Sequence, residues 1–178
     1  KYVFEKLARI PVEVDLASEF RYRDPILQEN TLVVIVSQSG ETADTLAALR
    51  LAKEKGVRTL GIVNVVGSSI AREADNVMYT WAGPEIAVAT TKAYSTQLIA
   101  QYLLAMKFAK VRGTVSQNDF DAMIQSLERL PEQISLLLSH KENVQRFANR
   151  YLAAEHVFFI GRGIDYAISM EGSLKLKE

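Results

Sequence analysis

Short apolar runs alternate along this chain with longer segments of helical periodicity. Four runs have the length and the apolar or alternating pattern of strands: residues 11–16, 31–36, 58–63 and 76–80. Residues 41–55 and 92–110 have the spacing of helices instead. Because strands that alternate with helices pair side by side, the pattern predicts an α/β fold, a doubly wound parallel sheet flanked by helices.

The second part of the chain predicts the start of another unit. Residues 157–160 form a short apolar run that predicts a further buried strand, and residues 166–178 predict a closing helix. We therefore expect residues 1–153 to form one α/β unit that ends in a helical connector, and residues 154–178 to begin a second. Both ends of the chain lie inside helical patterns without stop signals, so we expect a chain truncated at both ends.

Composition restricts the classes of function. The chain has 178 residues with 21 Lys and Arg against 21 Asp and Glu, so its charge favours neither nucleic acid nor an anionic membrane as a partner. It has no apolar run of bilayer length and no signal-like start, so the cytoplasm is the default expectation. Cysteine is absent, which excludes disulfides and thiol catalysis. His140 and His156 lack partners at metal-ligand spacing, so we expect structural histidines and no metal site.

A small polar loop, residues 37–42 (SQSGET), separates the strand at 31–36 from the next helix. A helix N-terminus offers free backbone N–H groups and partial positive charge, and Ser37, Ser39 and Thr42 add hydroxyls. Since the loop has no Lys or Arg, it suits a small phosphomonoester better than a triphosphate. Alternatively, Ser39 caps the helix, Gly40 eases the turn and Glu41 suits the helix dipole, and the local pattern leaves both interpretations open.

The closing helix has a charged stripe. Glu171, Lys175 and Glu178 have the spacing i, i+4 and i+7, which places them on one helical face. Such a stripe is usually a solvated surface stabilised by Glu–Lys pairs. The alternative is an acid/base array, since a partly desolvated carboxylate beside an ammonium can move a proton between neighbouring carbons of a sugar.

Several motifs together resemble the sugar-isomerase (SIS) domain of the glutamine–fructose-6-phosphate aminotransferase family. They are residues 17–21 (ASEFR), 37–45 (SQSGETADT), 83–93 (GPEIAVATTKA), 161–163 (GRG) and 171–178 (EGSLKLKE). The resemblance runs almost from end to end. It implies a flavodoxin-like fold in which residues 1–153 form a first SIS subdomain without its N-terminal strand, and residues 154–178 begin the second.

The resemblance implies roles for individual residues. The phosphate of fructose 6-phosphate would be held by Ser37, Gln38, Ser39 and Thr42. The sugar would be contacted by the Val88 backbone and by Thr90, where the family usually has Ser. Glu178 would be the base that transfers a proton between C1 and C2, assisted by Lys175 and Glu171.

The resemblance also implies what surrounds such a chain. No metal or organic cofactor is implied; the family works as a homodimer or higher homo-oligomer and carries a glutaminase domain. The family has another phosphate loop upstream of the matching region, and a ring-opening His and a Schiff-base Lys downstream. We therefore expect that this chain alone does not catalyse the reaction. Two alternatives remain: a non-catalytic SIS sensor of a sugar phosphate, and a related SIS isomerase or deaminase.

Overall fold

Three parallel strands form the centre of the fold. The computed structural model describes residues 1–87 and 90–178. Strand β1 (Leu32–Ser37) pairs with β2 (Arg58–Val63), and β2 pairs with β3 (Asn76–Tyr79), so the sheet order is β1-β2-β3. Since all three strands run in the same direction, their carboxyl ends meet at one edge of the sheet, where α/β proteins bind ligands.

Helices occupy most of the remaining described chain. They are α1 (Tyr2–Leu7), α2 (Ala17–Phe20), α3 (Ala43–Glu54), α4 (Ser69–Glu73), α5 (Lys92–Arg112), α6 (Gln117–Glu128), α7 (Leu130–Ser139), α8 (Lys141–Arg150) and α9 (Ile164–Lys177). The predicted α/β class, a parallel sheet flanked by helices, is confirmed. The predicted helices at 41–55 and 92–110 agree with α3 and α5 to within two residues at each end. None of the described helices is both long and apolar enough to span a membrane.

One face of the sheet packs against α3 and α4. Ile35 and Val63 lie on this face and contact a buried cluster that contains Leu49 of α3 and Ile70 of α4. The sheet register explains the grouping, because Ile35 pairs with Gly61, two residues before Val63, and residues at i and i+2 share a face. The apolar alternation of β1 therefore positions the loop that follows it.

Helix α5 also contacts β2. Its buried residues are mostly small, Ala93, Ala100, Ala105, Met106 and Ala109, which allows close approach of its backbone. The helix ends at Gly113, which has φ 67° and therefore the left-handed conformation of a helix C-cap. Ser116 then caps α6 by accepting a hydrogen bond from the Asp119 N–H.

The predicted strand at residues 11–16 is wrong. This segment has no regular secondary structure, and Val14 is 71% exposed. The guanidinium of Arg23 binds the carboxylates of Asp15 and Glu13 instead, at 2.5 and 3.0 Å. Alternation alone does not make a strand, because a strand needs a neighbour that accepts its backbone hydrogen bonds.

The predicted buried strand at residues 157–160 is also wrong. The segment forms no strand in the structure, and Phe158 and Ile160 are each 87% exposed. The reason is the same as at residues 11–16: no described strand lies beside these residues to complete the backbone hydrogen bonds. Helices α7, α8 and α9 around it contain no buried residue.

Candidate functional site

The Ser/Gly loop, residues 37–42, lies at the carboxyl edge of the sheet. Ser37 ends β1, is only 7% exposed, and its Oγ accepts a hydrogen bond from the Gly40 N–H at 3.0 Å. Ser39 Oγ accepts a hydrogen bond from the Glu41 N–H at 3.2 Å. The hydroxyls of the loop therefore bind its own backbone and bend it into a tight turn ahead of α3.

The N-terminus of α3 is open. Thr42 is its N-cap residue, and within the described chain no side chain caps this helix. The interpretation that Ser39 caps α3 is therefore wrong, because its hydroxyl accepts from a residue that precedes the helix. Asp44 in the first turn is bound by the guanidinium of Arg21 at 2.8 Å. The first turn thus keeps N–H groups and partial positive charge available to an anion.

Gly40 gives the loop its shape. Its φ of 67° is in the left-handed region, which side chains with a Cβ rarely adopt. A Cβ at this position would lie 2.1 Å from Ser68 Oγ and 2.6 Å from Ser68 Cβ. Ser68 is 3% exposed, and its hydroxyl has no hydrogen-bond partner among the described residues. The turn before α4 therefore packs directly against the Ser/Gly loop.

Glu41 joins the same two turns by hydrogen bonding. Its Oε1 accepts a hydrogen bond from the Ser69 N–H at 2.7 Å, at the first residue of α4. The Gly40 carbonyl accepts a second one from the Ile70 N–H at 3.0 Å. Hydrogen bonding by Ser69, through its hydroxyl and its N–H, lowers the pKa of Glu41 and keeps this carboxylate ionised. The Glu41 carboxylate thus binds the start of α4 and does not cap α3, which the sequence pattern did not reveal.

Asn64 connects the loops that follow all three strands. It comes directly after β2, and its N–H donates to the Gln38 carbonyl at 3.1 Å. Its Oδ1 accepts hydrogen bonds from the Ala82 N–H at 2.8 Å and the Thr80 hydroxyl at 3.1 Å. Its Nδ2 donates to the Gly83 carbonyl at 2.7 Å. Asn64 therefore links the Ser/Gly loop, through its backbone N–H, to the segment that leads from β3 to α5, through its side-chain amide.

That segment contains the two residues expected to contact the sugar. Val88 lies outside the described residues. Thr90 is described, is partly buried, and has a φ of 55°. Glu85 accepts hydrogen bonds from the backbone N–H groups of Ala87, Thr91 and Ala93 at 3.1 to 3.3 Å. Because of these bonds, of which that from Ala93 has the largest effect, the pKa of Glu85 is lowered.

The charged stripe of α9 divides into two parts. Lys175 Nζ lies 2.7 Å from Glu171 Oε1, and their side chains are 31% and 23% exposed, so this pair is partly desolvated. The ammonium also lies 5.7 Å from the centre of the Tyr94 ring on α5. Burial, and then the charge of Glu171, raise the pKa of Tyr94. Glu178 is exposed at the end of α9. Lys175 therefore reaches the first turn of α5 at Tyr94.

Sequence reasoning gave no role to Asn64 or Glu85, and to Glu41 only that of complementing the dipole of α3. Asn64 follows the end of β2 and Glu41 precedes the start of α3, and polar residues at such positions often bind free backbone groups. Glu85 lies within the irregular segment between β3 and α5. Their partners are distant in sequence or lie across a turn, so position alone does not identify them. Among the described residues, no group of three His, Asp or Glu is arranged to hold a metal ion.

A three-stranded parallel sheet with an open helix N-terminus at its carboxyl edge is an α/β arrangement, and in such folds this edge is where small anions commonly bind. The family model described as "SIS domain" matches residues 1–107. This chain belongs to the SIS-domain family.

Relatives of known name agree with this membership. Over all 178 residues the chain is 61% identical to a glutamine–fructose-6-phosphate aminotransferase [isomerizing] of Caldanaerobacter subterraneus, of which it covers 29%. Among solved structures, it matches the C-terminal domain of a glucosamine-fructose-6-phosphate aminotransferase from Francisella tularensis with a TM-score of 0.96 and 40% identity, covering all of this chain and 51% of that one. It also matches a glucosamine-6-phosphate deaminase from Thermotoga maritima with a TM-score of 0.59 and 29% identity, covering 70% and 38%.

Proposed function

We propose that this chain is part of the sugar-isomerase domain of an enzyme that converts fructose 6-phosphate and glutamine into glucosamine 6-phosphate and glutamate. The chain spans less than a third of the length of the curated relatives that it resembles, 29% of the first. The proposal is therefore about the complete polypeptide that carries it, and this chain would supply the phosphate-binding loop and the proton-transfer base.

The open N-terminus of α3 is the observation that carries the proposal. Its first-turn N–H groups have no side-chain acceptor among the described residues. Asp44 in the first turn is bound by Arg21, and Glu41, which precedes the helix, is bound by the first residue of α4. A phosphate at this point would accept hydrogen bonds from backbone N–H groups and from the hydroxyls of Ser39 and Thr42. Ser37 and Gln38 would act with them, Ser37 by holding the turn.

The stripe on α9 would carry out the proton transfer. We assign Glu178 as the base that moves a proton between C1 and C2 of the substrate. Lys175 and Glu171 would adjust the local charge, since the partly desolvated pair lies beside α5. Thr90 and the Val88 backbone would orient the sugar. A carboxylate base in such a position contributes about 10²- to 10⁴-fold to the rate.

The same proposal covers the organisation of the protein. Residues 1–153 would form the first SIS subdomain with its helical connector, and residues 154–178 the start of the second. A homo-oligomeric assembly and a glutaminase domain in the complete polypeptide would follow from the resemblance to the aminotransferases. The cytoplasm stays the proposed location.

The test is an assay of the complete polypeptide with glutamine and fructose 6-phosphate, in which glucosamine 6-phosphate is measured. Glu178→Gln should lower the rate by about 10²-fold or more, because the amide cannot accept the proton. The matched control is Glu54→Gln, an exposed carboxylate at the far end of α3, which should leave the rate unchanged.

Other outcomes would redirect the proposal. Binding of fructose 6-phosphate without any product would favour a non-catalytic sensor. Product formation from ammonia but not from glutamine would favour a related isomerase or deaminase, the class of the Thermotoga maritima structure. Equal activity of Glu178→Gln and the unchanged protein would remove Glu178 from the proton transfer.

A further inference from the structure

We propose that Glu85 is a positioning residue that holds Thr90 in the backbone conformation in which its hydroxyl meets the sugar. The inference rests on the proposed function, which assigns Thr90 to the substrate. Glu85 itself would not touch the substrate, because its carboxylate oxygens are occupied by the backbone around Thr90.

The contacts of Glu85 enclose Thr90 from both sides. Upstream, Oε1 accepts a hydrogen bond from the Ala87 N–H at 3.3 Å. Downstream, Oε2 accepts from the N–H groups of Thr91 and Ala93, both at 3.1 Å, and Oε1 lies 3.4 Å from the Thr91 hydroxyl. One carboxylate therefore ties the segment before Thr90 to the first turn of α5.

The backbone of Thr90 needs such support. Its φ of 55° lies in the left-handed region, which is a genuine outlier for a β-branched residue. Within the described residues, its own N–H donates one backbone hydrogen bond, to the Ala87 carbonyl at 3.2 Å. A strained conformation persists when surrounding contacts determine it from several sides, and strained residues cluster at ligand sites. The hydrogen bonds that Glu85 accepts before and after Thr90 hold its backbone in this conformation.

The charge of Glu85 is compatible with a phosphate ligand nearby. The carboxylate binds N–H groups at the start of α5, a helix of 21 residues, so the partial positive charge of that helix end compensates it. The pKa of Glu85 is lowered, first by the Ala93 N–H, and the group stays ionised at neutral pH. An uncompensated carboxylate at the same position would repel the substrate instead.

The test compares two ligands in the complete polypeptide. Isothermal titration calorimetry would measure the affinity for fructose 6-phosphate and for inorganic phosphate in the unchanged protein, Glu85→Ala and Glu85→Gln. Glu85→Ala should bind fructose 6-phosphate about tenfold more weakly, the effect of one lost hydrogen bond to the sugar. Its affinity for inorganic phosphate should be unchanged, since the Ser/Gly loop is intact. Glu85→Gln should be intermediate, because one amide oxygen replaces two acceptors.

Two results would overturn the inference while the proposed function stands. The first is an unchanged affinity of Glu85→Ala for fructose 6-phosphate. The second is an equal loss of both ligands, which would mean a general structural role. If the unchanged protein binds neither ligand, the proposed function itself fails, and this inference with it. Thermal unfolding of each variant identifies any that do not fold, and Glu85→Gln carries the comparison if Glu85→Ala is one of them.

Discussion

The sheet region, residues 32–112, and the C-terminal arm, residues 130–178, contain the same kinds of apolar residue in opposite environments. In the sheet region, Leu49 and Ile62 are fully buried. In the arm, Leu137 is 72% exposed and Phe158 is 87% exposed, and α7, α8 and α9 bury none of their residues. An apolar pattern states which side chains favour burial, but burial also needs a packing partner, and the described chain provides one only for the sheet region.

The proposed chemistry divides along the same line. Phosphate binding would use a loop that the sheet, α4 and Asn64 hold from several sides. Proton transfer would use α9, which meets the sheet region where Lys175 contacts Tyr94. Binding and catalysis should therefore respond differently to substitutions in the two regions.

The largest expected difference is in core packing. Leu49→Ala should lower the free energy of unfolding by about 2–5 kcal/mol, because it leaves a cavity at a fully buried site. Leu137→Ala should change it by less than about 0.5 kcal/mol, since this side chain is exposed. Urea unfolding of the 178-residue chain measures both. Similar losses from the two variants would show that the arm is packed in solution as tightly as the sheet region.

The next largest effect concerns the Ser/Gly loop. Gly40→Ala should cost roughly 2–4 kcal/mol of unfolding free energy, from left-handed strain and from overlap with Ser68. Rotation of the Ser68 side chain cannot relieve the overlap, because its Cβ also lies too close. The matched control is Gly56→Ala, where φ is 74° and nothing lies within 4 Å of the added Cβ.

Gly56→Ala should therefore cost only the strain, about 1–2 kcal/mol. The two variants are compared by urea unfolding, followed by the affinity for inorganic phosphate, which only Gly40→Ala should weaken. Equal losses of unfolding free energy in Gly40→Ala and Gly56→Ala would mean that the turn before α4 does not pack tightly against the Ser/Gly loop.

The smallest expected effect is a pH dependence at the amino edge of the sheet. Asp75 Oδ2 accepts hydrogen bonds from the Thr59 hydroxyl and N–H, both at 2.8 Å, and Lys53 Nζ lies 3.2 Å from Oδ1. The Thr59 hydroxyl, then its N–H and Lys53, lower the pKa of Asp75. A lowered pKa stabilises the folded state at pH values above the ordinary pKa of aspartate, and this stability is lost as the pH falls through the folded-state pKa.

Asp75→Asn should consequently be less stable than the unchanged chain at neutral pH. In strong acid, where Asp75 is protonated in both the folded and the unfolded state, the charge-dependent part of that difference should disappear. Urea unfolding at both pH values measures it. A difference that stays constant with pH would show that the carboxylate charge contributes nothing to the pairing of β2 with β3.

Sequence reasoning was most successful where a local pattern and the tertiary contacts agree. The strand at β1, the loop after it and helix α3 follow from a β-branched run, a Ser/Gly turn and helical spacing, and each is local. The end of α5 follows from Gly113 for the same reason. The strands predicted at 11–16 and 157–160 fail because strand formation depends on a neighbouring chain segment that the pattern does not contain.

In the candidate site, too, the sequence pattern does not identify contacts between side chains and segments that are distant along the chain. The hydroxyls of the Ser/Gly loop could be identified as candidates from the sequence, because their neighbours along the chain define a helix start. The partner of Glu41 could not, since Ser69 is 28 residues away along the chain. The same holds for Asn64, which meets Gln38 and Gly83 only when the strands are aligned.

The sequence by itself determined the α/β class, the position of the Ser/Gly loop and the helix face on which Glu171 and Lys175 lie. These features depend on the periods of strands and helices and on residues within one or two turns of each other. Only the tertiary structure decided that Glu41 binds α4, that Glu85 accepts hydrogen bonds from the backbone on both sides of Thr90, and that Lys175 contacts Tyr94. These contacts join segments distant in sequence or depend on the exact path of an irregular loop, and their geometry exists only once the sheet has aligned its strands and the helices have packed against it.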